Sequence, residues 1–377
     1  MNDRLRVTLD VSAIPAQPAG AGVYVRQTVE ALAAAGEIEL GLVAATGDAA
    51  RWRRLAPGAE VHAEVPARRP ARLLWEQTRA PALARRLGGD LWHGPHYTMP
   101  VRADLPTVVT IHDLTFFDHP EWHERAKLAY FRRMIRISAQ QADLLVCVSQ
   151  HTARRLDAVL APTSPVEVIP HGVDHDRFRP APPDHDLELL ASLGVRPPFL
   201  AFTGTLEPRK NVPALVRAFG HLAPVHPDLQ LVLAGTPGWG VGPIHAAVAM
   251  SNVADRIVEL GYTTDEVVPA LFRQAAVVVY PSLEEGFGLP ALEALACGAA
   301  LVTTSGSAME DVTGGAALLV PPGDDEALAE ATEAALAGGS EIDRLREQGP
   351  RVAAEYSWDR GARRHVEAYR RAVSAAR

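Results

Sequence analysis

The segment Tyr280–Thr304 carries the densest set of groups that could do chemistry. An apolar run ends at Tyr280, a loop with Gly286 and Gly288 follows, and a helix is predicted to begin near Pro290, a residue that suits the first helical turn. Glycines let backbone amides approach a ligand closely, and a helix start offers N–H groups with a partial positive charge. The segment therefore predicts a phosphate site.

Two glutamates belong to the same segment. The pattern places Glu285 on the loop and Glu293 in the first turn of the following helix, so both carboxylates could face one ligand. One could accept hydrogen bonds from sugar hydroxyls and the other from ribose hydroxyls. Alternatively, Glu293 only complements the helix dipole and Glu285 is a solvated loop acid.

A second segment, Phe202–Asn211, has a similar order of strand end, glycine turn and helix start. Gly204 and Thr205 would allow close backbone approach, and Arg209 and Lys210 place two cations beside the helix start. Together these cations could neutralise a diphosphate leaving group, a task otherwise given to a metal ion. A solvated surface pair is the alternative.

His112 follows directly on the apolar run Thr107–Ile111, at a position where a parallel strand ends. An imidazole there could donate a hydrogen bond to a sugar hydroxyl or to the acceptor. The alternative is a structural histidine whose partner is the backbone. Asp113 is expected to fix local structure or the imidazole.

The glycine-rich turn Pro18–Tyr24 follows the first predicted strand. A dinucleotide-binding fingerprint would need a third glycine or an alanine at position 25, where this chain has Val25. This disfavours an NAD-dependent dehydrogenase. The turn could still approach a donor phosphate or sugar through Gly20 and Gly22.

The elements that must position these residues alternate between short apolar runs and longer segments of helical period, which is the pattern of parallel α/β sheets. With 377 residues the chain is long enough for two domains, at roughly 150 residues each. We therefore predict an α/β fold with two facing Rossmann-like domains, and the cleft between them as the active site. The predicted strands are Val7–Val11, Glu39–Ala44, Leu91–His93, Thr107–Ile111, Leu144–Val148 and Val166–Ile169 in the first half, and Phe199–Phe202, Leu229–Ala234, Ile257–Leu260, Ala276–Tyr280, Ala300–Thr304 and Ala317–Val320 in the second.

A proline-dense stretch, Arg179–Pro183, and the polar Asp184–Asp186 after it cannot continue a sheet or helix, so we place the linker there. The segment Arg360–Ala376 is predicted to be a helix with an apolar stripe. The predicted boundaries are residues 1–180 for the first domain, 181–358 for the second and 359–377 for the terminal helix.

The composition excludes several classes of protein. A net charge of −8 gives no reason to expect a nucleic-acid partner. No apolar run reaches the roughly 20 residues of a membrane span, and the N-terminus has no room for a secretory signal, so a cytoplasmic protein is expected. Cys147 and Cys297, far apart in apolar contexts, are expected to be buried thiols.

The stretch Arg51–Arg86 is basic, with nine arginines against the glutamates at 60, 64 and 76, and it also contains tryptophan and leucine. It could face an acceptor or an anionic membrane, with peripheral contact at the inner face of the plasma membrane. Two Asp-x-Asp triplets, Asp174–Asp176 and Asp184–Asp186, could suggest a metal site. Since both lie around the linker, we expect solvated turns and no metal.

These motifs resemble the retaining GT-B glycosyltransferases of the large family four, the "glycosyl transferases group 1" type, over nearly the whole chain. Departures are His171, where the family often has asparagine, and Ala299–Ala300, near which it often has proline. The residues that carry the resemblance are Gly20–Gly22, Val109–Leu114, Val148–Ser149, Val168–Asp174, Gly204–Asn211, and Glu285–Pro290 with Glu293.

The resemblance implies a role for each site residue. Arg209 and Lys210 would bind the donor diphosphate, Glu293 the ribose, and Glu285 the transferred sugar. His112 would lie near the reacting sugar. The loop amides that would also contact the sugar belong to Gly286, Phe287, Gly288 and Leu289. The C-terminal helix would cross back to the first domain, whose part would be to bind the acceptor, and transfer would need no metal or other cofactor.

The resemblance also indicates the substrates. The string that runs from His112 through Phe116 to His119–Trp122 resembles mannosyl- and rhamnosyltransferases of polysaccharide assembly. It favours GDP-mannose as donor, leaves UDP-sugars open, and implies a saccharide or lipid-linked acceptor. The alternatives are a GT-B nucleotide-sugar epimerase and a non-catalytic nucleotide-sugar-binding protein.

Overall fold

The computed structural model describes residues 4–181 and 184–376, which form two compact units. The first unit comprises the chain up to Gly172 together with the segment from Trp358 onward, and the second comprises Val173–Ser357. Each unit is built on a parallel β-sheet, so the predicted α/β class with two Rossmann-like domains is confirmed. Pro182 and Pro183 of the predicted linker lie outside the described residues.

The sheet of the first unit has seven parallel strands in the order β3-β2-β1-β4-β5-β6-β7. Because β2 and β4 lie on opposite sides of β1, the direction of winding reverses there, and the carboxyl ends of β1 and β4 flank a topological switch point. The strands are β1 (Arg6–Asp10), β2 (Glu39–Ala45), β3 (Glu60–Val65), β4 (Leu91–Gly94), β5 (Thr107–Ile111), β6 (Leu144–Cys147) and β7 (Val166–Val168).

Helices cover both faces of this sheet, because alternate strand residues point to opposite faces and both sets are apolar. Val7 and Leu9 of β1 belong to the core on one face, and Val43 and Trp92 to the core on the other. The helices are α1 (Ala21–Ala35), α2 (Ala49–Leu55), α3 (Arg69–Thr78), α4 (Ala80–Leu87), α5 (Thr115–Asp118), α6 (Arg125–Gln141) and α7 (Gln150–Leu160).

The C-terminal helix spans Trp358–Ala376 and packs against α1 in the first unit. The predicted apolar stripe is confirmed, since Val366 and Tyr369 are fully buried in the same core as β1. A buried polar contact joins the two helices, where the Tyr24 hydroxyl lies 2.9 Å from His365 Nε2. His365 Nδ1 donates to the Gly361 carbonyl, which leaves Nε2 as the acceptor for Tyr24.

The second unit has six parallel strands in the order β10-β9-β8-β11-β12-β13. They are β8 (Phe199–Thr203), β9 (Gln230–Ala234), β10 (Ile257–Gly261), β11 (Val277–Tyr280), β12 (Leu301–Thr304) and β13 (Leu318–Val320). Its helices are α8 (Asp184–Ser192), α9 (Val212–Leu222), α10 (Gly242–Met250), α11 (Val267–Gln274), α12 (Leu289–Ala296), α13 (Ala308–Thr313), α14 (Asp325–Ala337) and α15 (Ser340–Ala353). The C-terminal helix, Trp358–Ala376, is α16.

All the predicted strands are present within a residue or two, but the sequence analysis missed β3. This edge strand lies inside the arginine-rich stretch, and only Val65 in it is buried. Without an apolar run it had no periodic signal. The same stretch also forms α2, α3 and α4, and it buries Trp52 in the core, so it is only in part a surface.

Asp184–Asp186 is not a solvated turn, as expected above, but the start of α8. Asp186 is buried and accepts hydrogen bonds from Arg273 on α11, at 2.6 Å from Nε and 2.7 Å from Nη2. The bidentate pair docks α8 onto α11, which a triplet pattern could not indicate. Asp174 does form the expected turn, since its side chain accepts from the amides of Asp176 and Arg177.

Cys147 and Cys297 are buried free thiols, as predicted. Burial raises the pKa of each thiol to about 12. Within residues 4–181 and 184–376, no helix combines the length and the apolar character needed to cross a bilayer.

Candidate active site

Three of the predicted site residues meet in the second unit, after the carboxyl ends of β8 and β11. The Glu285 carboxylate is buried and accepts hydrogen bonds from Lys210 Nζ and, at 2.7 Å, from Arg209 Nη1. Arg209 Nε also pairs with Glu207 at 2.6 Å. The structure thus joins the two motif segments through one carboxylate between two cations.

Backbone contacts hold these segments in register. The Leu283 amide donates to the Arg209 carbonyl at 2.8 Å, and the Ala308 amide at the start of α13 donates to the Glu285 carbonyl at 3.3 Å. Arg209 and Lys210 form a short 3₁₀ turn that leads directly into α9. The cations are therefore held by the 3₁₀ turn before α9 and by its backbone bond to Leu283, and not by a free loop.

The charges of this group perturb one another. Burial alone would raise the pKa of Glu285, but Arg209 and Lys210 together lower it to about 2, so the carboxylate stays ionised at neutral pH. Burial and the charge of Arg209 lower the pKa of Lys210, against the opposing effect of Glu285. The hydrogen bond from Lys210 Nζ to Glu285 favours the charged form of both groups.

Tyr280, the last residue of β11, lies beside this group, although no role was predicted for it. Lys210 Nζ is 5.5 Å from the centre of its ring, and Thr203 Oγ1 is 3.5 Å from its hydroxyl. Burial, and then the charges of Glu285 and Glu293, raise its pKa well above the usual value. The only sequence signal for Tyr280 was a polar-tipped aromatic residue at a strand end.

Glu293 lies on α12, but not in the first turn as expected, because the helix begins at Leu289 and Glu293 is its fifth residue. It is partly buried and lies near enough to Tyr280 to affect its pKa, after burial itself. Both predicted glutamates are therefore close enough to Tyr280 for their charges to affect its hydroxyl. Glu293 is too far along α12 to act as a first-turn acid.

The glycines of the two motifs have packing reasons to be glycine. Gly204 has φ +139°, its amide donates to the Ala234 carbonyl, and an added Cβ would lie 3.1 Å from the Tyr280 hydroxyl. Gly288 precedes α12 with φ +88°, and its Cβ would meet Met309 Cγ at 2.5 Å. The Gly204 amide is therefore used by the sheet. Thr205 and Gly286 adjoin the cation and carboxylate segments, and Phe287 is buried with its ring 6.0 Å from that of Tyr356.

In the first unit, His112 is buried at the end of β5. Its Nε2 donates to the Pro95 carbonyl at 2.8 Å. This is the backbone contact expected if His112 has a structural role. Burial lowers the pKa of the ring, so it is neutral, and Nδ1 is left as an acceptor rather than a donor. Asp113 accepts from the amide and hydroxyl of Thr115, which confirms that it fixes local structure.

The glycine turn of the first unit opens α1. Gly20 precedes the helix with φ +51°, and a Cβ on Gly22 would lie 2.9 Å from Pro18 Cβ. Gly22 is thus required by a tight turn. Among the described residues, no group of three His, Cys, Asp or Glu side chains could hold a metal ion.

Comparison with known protein families covers both units. The model described as Glycosyltransferase Family 4 matches residues 18–177, and the model described as Glycosyl transferases group 1 matches residues 197–338. The chain is a family-four glycosyltransferase. These matches cover both the His112 segment and the Arg209–Lys210 and Glu285–Glu293 segments.

The relatives of this glycosyltransferase include enzymes of mannose transfer. O-antigen chain mannosyltransferase B of Escherichia coli is 29% identical over 303 residues, which are 79% of this chain and 78% of that protein. A GDP-mannose-dependent monoacylated alpha-(1-6)-phosphatidylinositol monomannoside mannosyltransferase of Corynebacterium glutamicum is 31% identical over 211 residues, 53% of this chain and 54% of that protein. The chain spans 36% of the length of the serotype-specific mannosyltransferase WbdA of Escherichia coli.

The fold is shared with solved structures, among them that of WaaG, a glycosyltransferase involved in lipopolysaccharide biosynthesis, at a TM-score of 0.77 and 14% identity. Anabaena HepE, determined in complex with UDP-glucose, has a TM-score of 0.79 to this chain at 18% identity, covering 96% of this chain and 99% of that one. At this identity the likeness concerns the fold, and the GT-B architecture of the chain is confirmed.

Proposed function

We propose that the chain is a retaining hexosyltransferase that moves a sugar, with mannose favoured, from a nucleotide diphosphate sugar to a saccharide or lipid-linked acceptor. The observation that carries the proposal is the Glu285 carboxylate held between Arg209 and Lys210 at the start of α9. Two cations fixed at a strand end suit the negative charge of a diphosphate.

The donor would sit with its diphosphate on Lys210 and Arg209, near the start of α12. As the bond from the anomeric carbon to the diphosphate oxygen breaks, negative charge grows on the leaving group, and fixed cations stabilise that charge more than they stabilise the bound donor. Glu293 would accept hydrogen bonds from the ribose, and Glu285 with the following amides would contact the sugar.

Retention follows from the family resemblance. The acceptor oxygen would form its bond to the anomeric carbon on the face that the diphosphate leaves, and the hydroxyl proton would pass to a leaving phosphate oxygen. The protein then supplies binding, orientation and charge stabilisation, and no metal is part of the proposal. His112, with Nδ1 as acceptor, would orient a hydroxyl rather than protonate the leaving group.

The names of the relatives support the choice of substrate. Mannose is the transferred sugar in the names of the Escherichia coli and Corynebacterium proteins, and GDP-mannose is the donor in the latter. HepE was determined with UDP-glucose, so UDP-sugars are the competing donor class.

Mass spectrometry of product mixtures tests the proposal directly. The protein would be incubated with GDP-mannose or UDP-glucose, each with and without methyl α-mannoside as acceptor. We expect a disaccharide glycoside and free GDP from the first donor. An epimerised donor formed without acceptor would establish the epimerase instead, and a donor left intact under all conditions would overturn the proposal.

We also propose that the enzyme works in the cytoplasm and contacts anionic membrane through the exposed face of α3 and its neighbours. Leu74 is 65% exposed there, and Arg68, Arg69 and Arg79 are exposed around it. Flotation with vesicles containing anionic lipid should carry the protein, and substitution of Arg68 and Arg79 by glutamine should reduce it. Equal flotation with neutral vesicles would contradict this contact.

A further inference from the structure

A second group of interacting polar side chains lies in the first unit, on β1, α3 and α6. Glu76 on α3 is only 5% exposed, and its carboxylate accepts hydrogen bonds from Thr98 Oγ1 at 2.7 Å and from the Tyr130 hydroxyl at 3.3 Å. Asp10 ends β1, and its side chain accepts from the Ser12 amide at 2.9 Å. We call Asp10, Arg72, Glu76 and Tyr130 the β1–α3 cluster.

Arg72 couples the two carboxylates of the β1–α3 cluster. Burial raises the pKa of Asp10 and of Glu76, the charge of Asp10 raises that of Glu76 further, to about 7, and Arg72 opposes both shifts. Two carboxylates that repel each other are an unfavourable way to fill a core, since apolar residues of similar volume are often more stabilising.

The position of the β1–α3 cluster in the sheet is that of a ligand site. Asp10 is the last residue of β1, and His96 follows the end of β4, so the cluster lies at the switch point of the first sheet. Ligands of open parallel sheets bind outside the carboxyl ends of the strands at such a point. Asp10, Arg72, His96 and Tyr130 are only partly buried, so the group is not sealed in the core.

Aromatic rings lie beside the β1–α3 cluster, and the centre of the Tyr130 ring is 5.4 Å from that of Phe131. Arg69 lies over the Phe131 ring at 5.8 Å, and Lys127 over the Phe116 ring at 5.7 Å. The His96 ring is 5.7 Å from that of His112, between ring centres. A series of ring contacts, from Tyr130 through Phe131 and His96, therefore connects the cluster to His112.

We propose that Asp10, Arg72, Glu76 and Tyr130 form the subsite for an uncharged saccharide ring of the acceptor. The proposal rests on the proposed transferase function and adds the ligand class and residues of its acceptor side. The carboxylates accept hydrogen bonds from adjacent hydroxyls, the Arg72 guanidinium donates to a sugar oxygen, and the Tyr130 hydroxyl, whose proton goes to Glu76, accepts from a sugar hydroxyl. Two neighbouring carboxylates suit hydroxyl groups and would repel an anionic ligand.

Saturation-transfer NMR with methyl α-mannoside tests the subsite without any turnover. The wild-type protein should bind the glycoside, and Asp10→Asn and Glu76→Gln should weaken binding at least about tenfold, the cost of losing a hydrogen bond to a charged group. Glu37→Gln, which changes an exposed carboxylate paired with Arg370, is the matched control and should bind as wild type does. Failure of the wild-type protein to bind, or wild-type affinity in both cluster variants, would overturn the subsite.

A calorimetric titration of the same variants with GDP separates this proposal from the transferase function. A structural role for the cluster predicts that both ligands are lost together when folding is disturbed, whereas the subsite predicts that only the glycoside affinity falls. Tyr130→Phe removes one hydroxyl from a partly buried ring, so it controls for loss of folding in the other variants. It should weaken glycoside binding and leave GDP affinity unchanged. GDP affinity falling in parallel with glycoside affinity in this variant would contradict the subsite.

Discussion

Glu285 in the second unit and Glu76 in the first are equally buried, yet their surroundings shift their ionisation in opposite directions. Glu285 lies between Arg209 and Lys210, and its pKa falls to about 2. Glu76 meets two hydroxyl groups, with Asp10 nearby, and its pKa rises to about 7. The comparison shows that burial does not decide the charge of a carboxyl group; its neighbours do.

The difference also indicates two kinds of ligand. A carboxylate that keeps two cations in place preserves a basic site, and such a site suits a diphosphate. A carboxylate surrounded by hydroxyl donors and one guanidinium suits a hydroxyl-rich neutral ligand. We therefore propose that the second unit binds the charged donor and the first unit binds an uncharged acceptor.

Removing the positive charge of Lys210 should have the largest effect on activity. We expect Lys210→Ala to lower kcat roughly 100-fold or more, the size of effect seen when one stabilising charge or donor is removed from a transition state. Folding should change far less, because Arg209 still pairs with Glu285. Steady-state kinetics and circular dichroism measure the two quantities, with Arg217→Ala, from an exposed pair with Asp325, as control. Wild-type turnover in a folded Lys210→Ala protein would remove Lys210 from the mechanism.

The pH dependence of the second unit follows from Glu285. Its pKa is lowered from 4.5 to about 2, so its contribution to stability is complete above about pH 4.5 and is lost as the pH falls toward 2. Glu285→Gln should be less stable than wild type at neutral pH, and the gap should narrow in acid. Hydrogen exchange of the loop before α12, followed by mass spectrometry between about pH 3 and pH 6, measures this. A difference in stability between the two proteins that widens in acid would show that Arg209 and Lys210 do not stabilise the Glu285 carboxylate.

The first unit should show the opposite slope. The pKa of Glu76 is raised from 4.5 to about 7, so the folded state favours the protonated carboxyl, and stability falls as the pH rises through that window. Glu76→Gln mimics the protonated form and should flatten the slope. Exchange rates of α3 amides between about pH 5 and pH 8 measure it. Identical slopes in both proteins would place the titrating group elsewhere.

The smallest effect is expected from Tyr130→Phe. The Tyr130 hydroxyl donates to Glu76 at 3.3 Å, and this bond lowers the pKa of the carboxyl against the effect of burial. Its loss should destabilise the first unit by about 1 kcal/mol and move the Glu76 transition to higher pH. The pH profile of exchange in α3 serves again as the measurement. A shift to lower pH would mean that the hydroxyl favours the neutral carboxyl.

The fold was largely predictable because both sheets are parallel and covered on both faces, so that their strands are continuous apolar runs. β3 was missed because it is an edge strand with only one buried residue, so it has no continuous apolar run to predict it from. Asp186 was placed in a turn because nothing local indicates that its partner is Arg273, 87 residues away. Local pattern therefore predicted the elements and missed long-range pairing.

The donor site was predictable in membership but not in arrangement. Arg209, Lys210 and Glu285 stood out because each lies in the short connection between a strand and the helix that follows it. Their mutual ion pairs, and the place of Tyr280 beside them, arise from two segments about 75 residues apart and have no signature in either. Glu76 was only one acid in a basic stretch, because burial and the partner Thr98 are properties of the folded chain.

Isothermal titration with GDP tests most directly whether Lys210 and its partners hold a nucleotide diphosphate. We expect wild-type protein and Arg217→Ala to bind GDP with the same affinity, and Lys210→Ala to bind it at least about tenfold more weakly because one charged contact is lost. Equal affinity of Lys210→Ala and wild type, with both proteins folded, would contradict it.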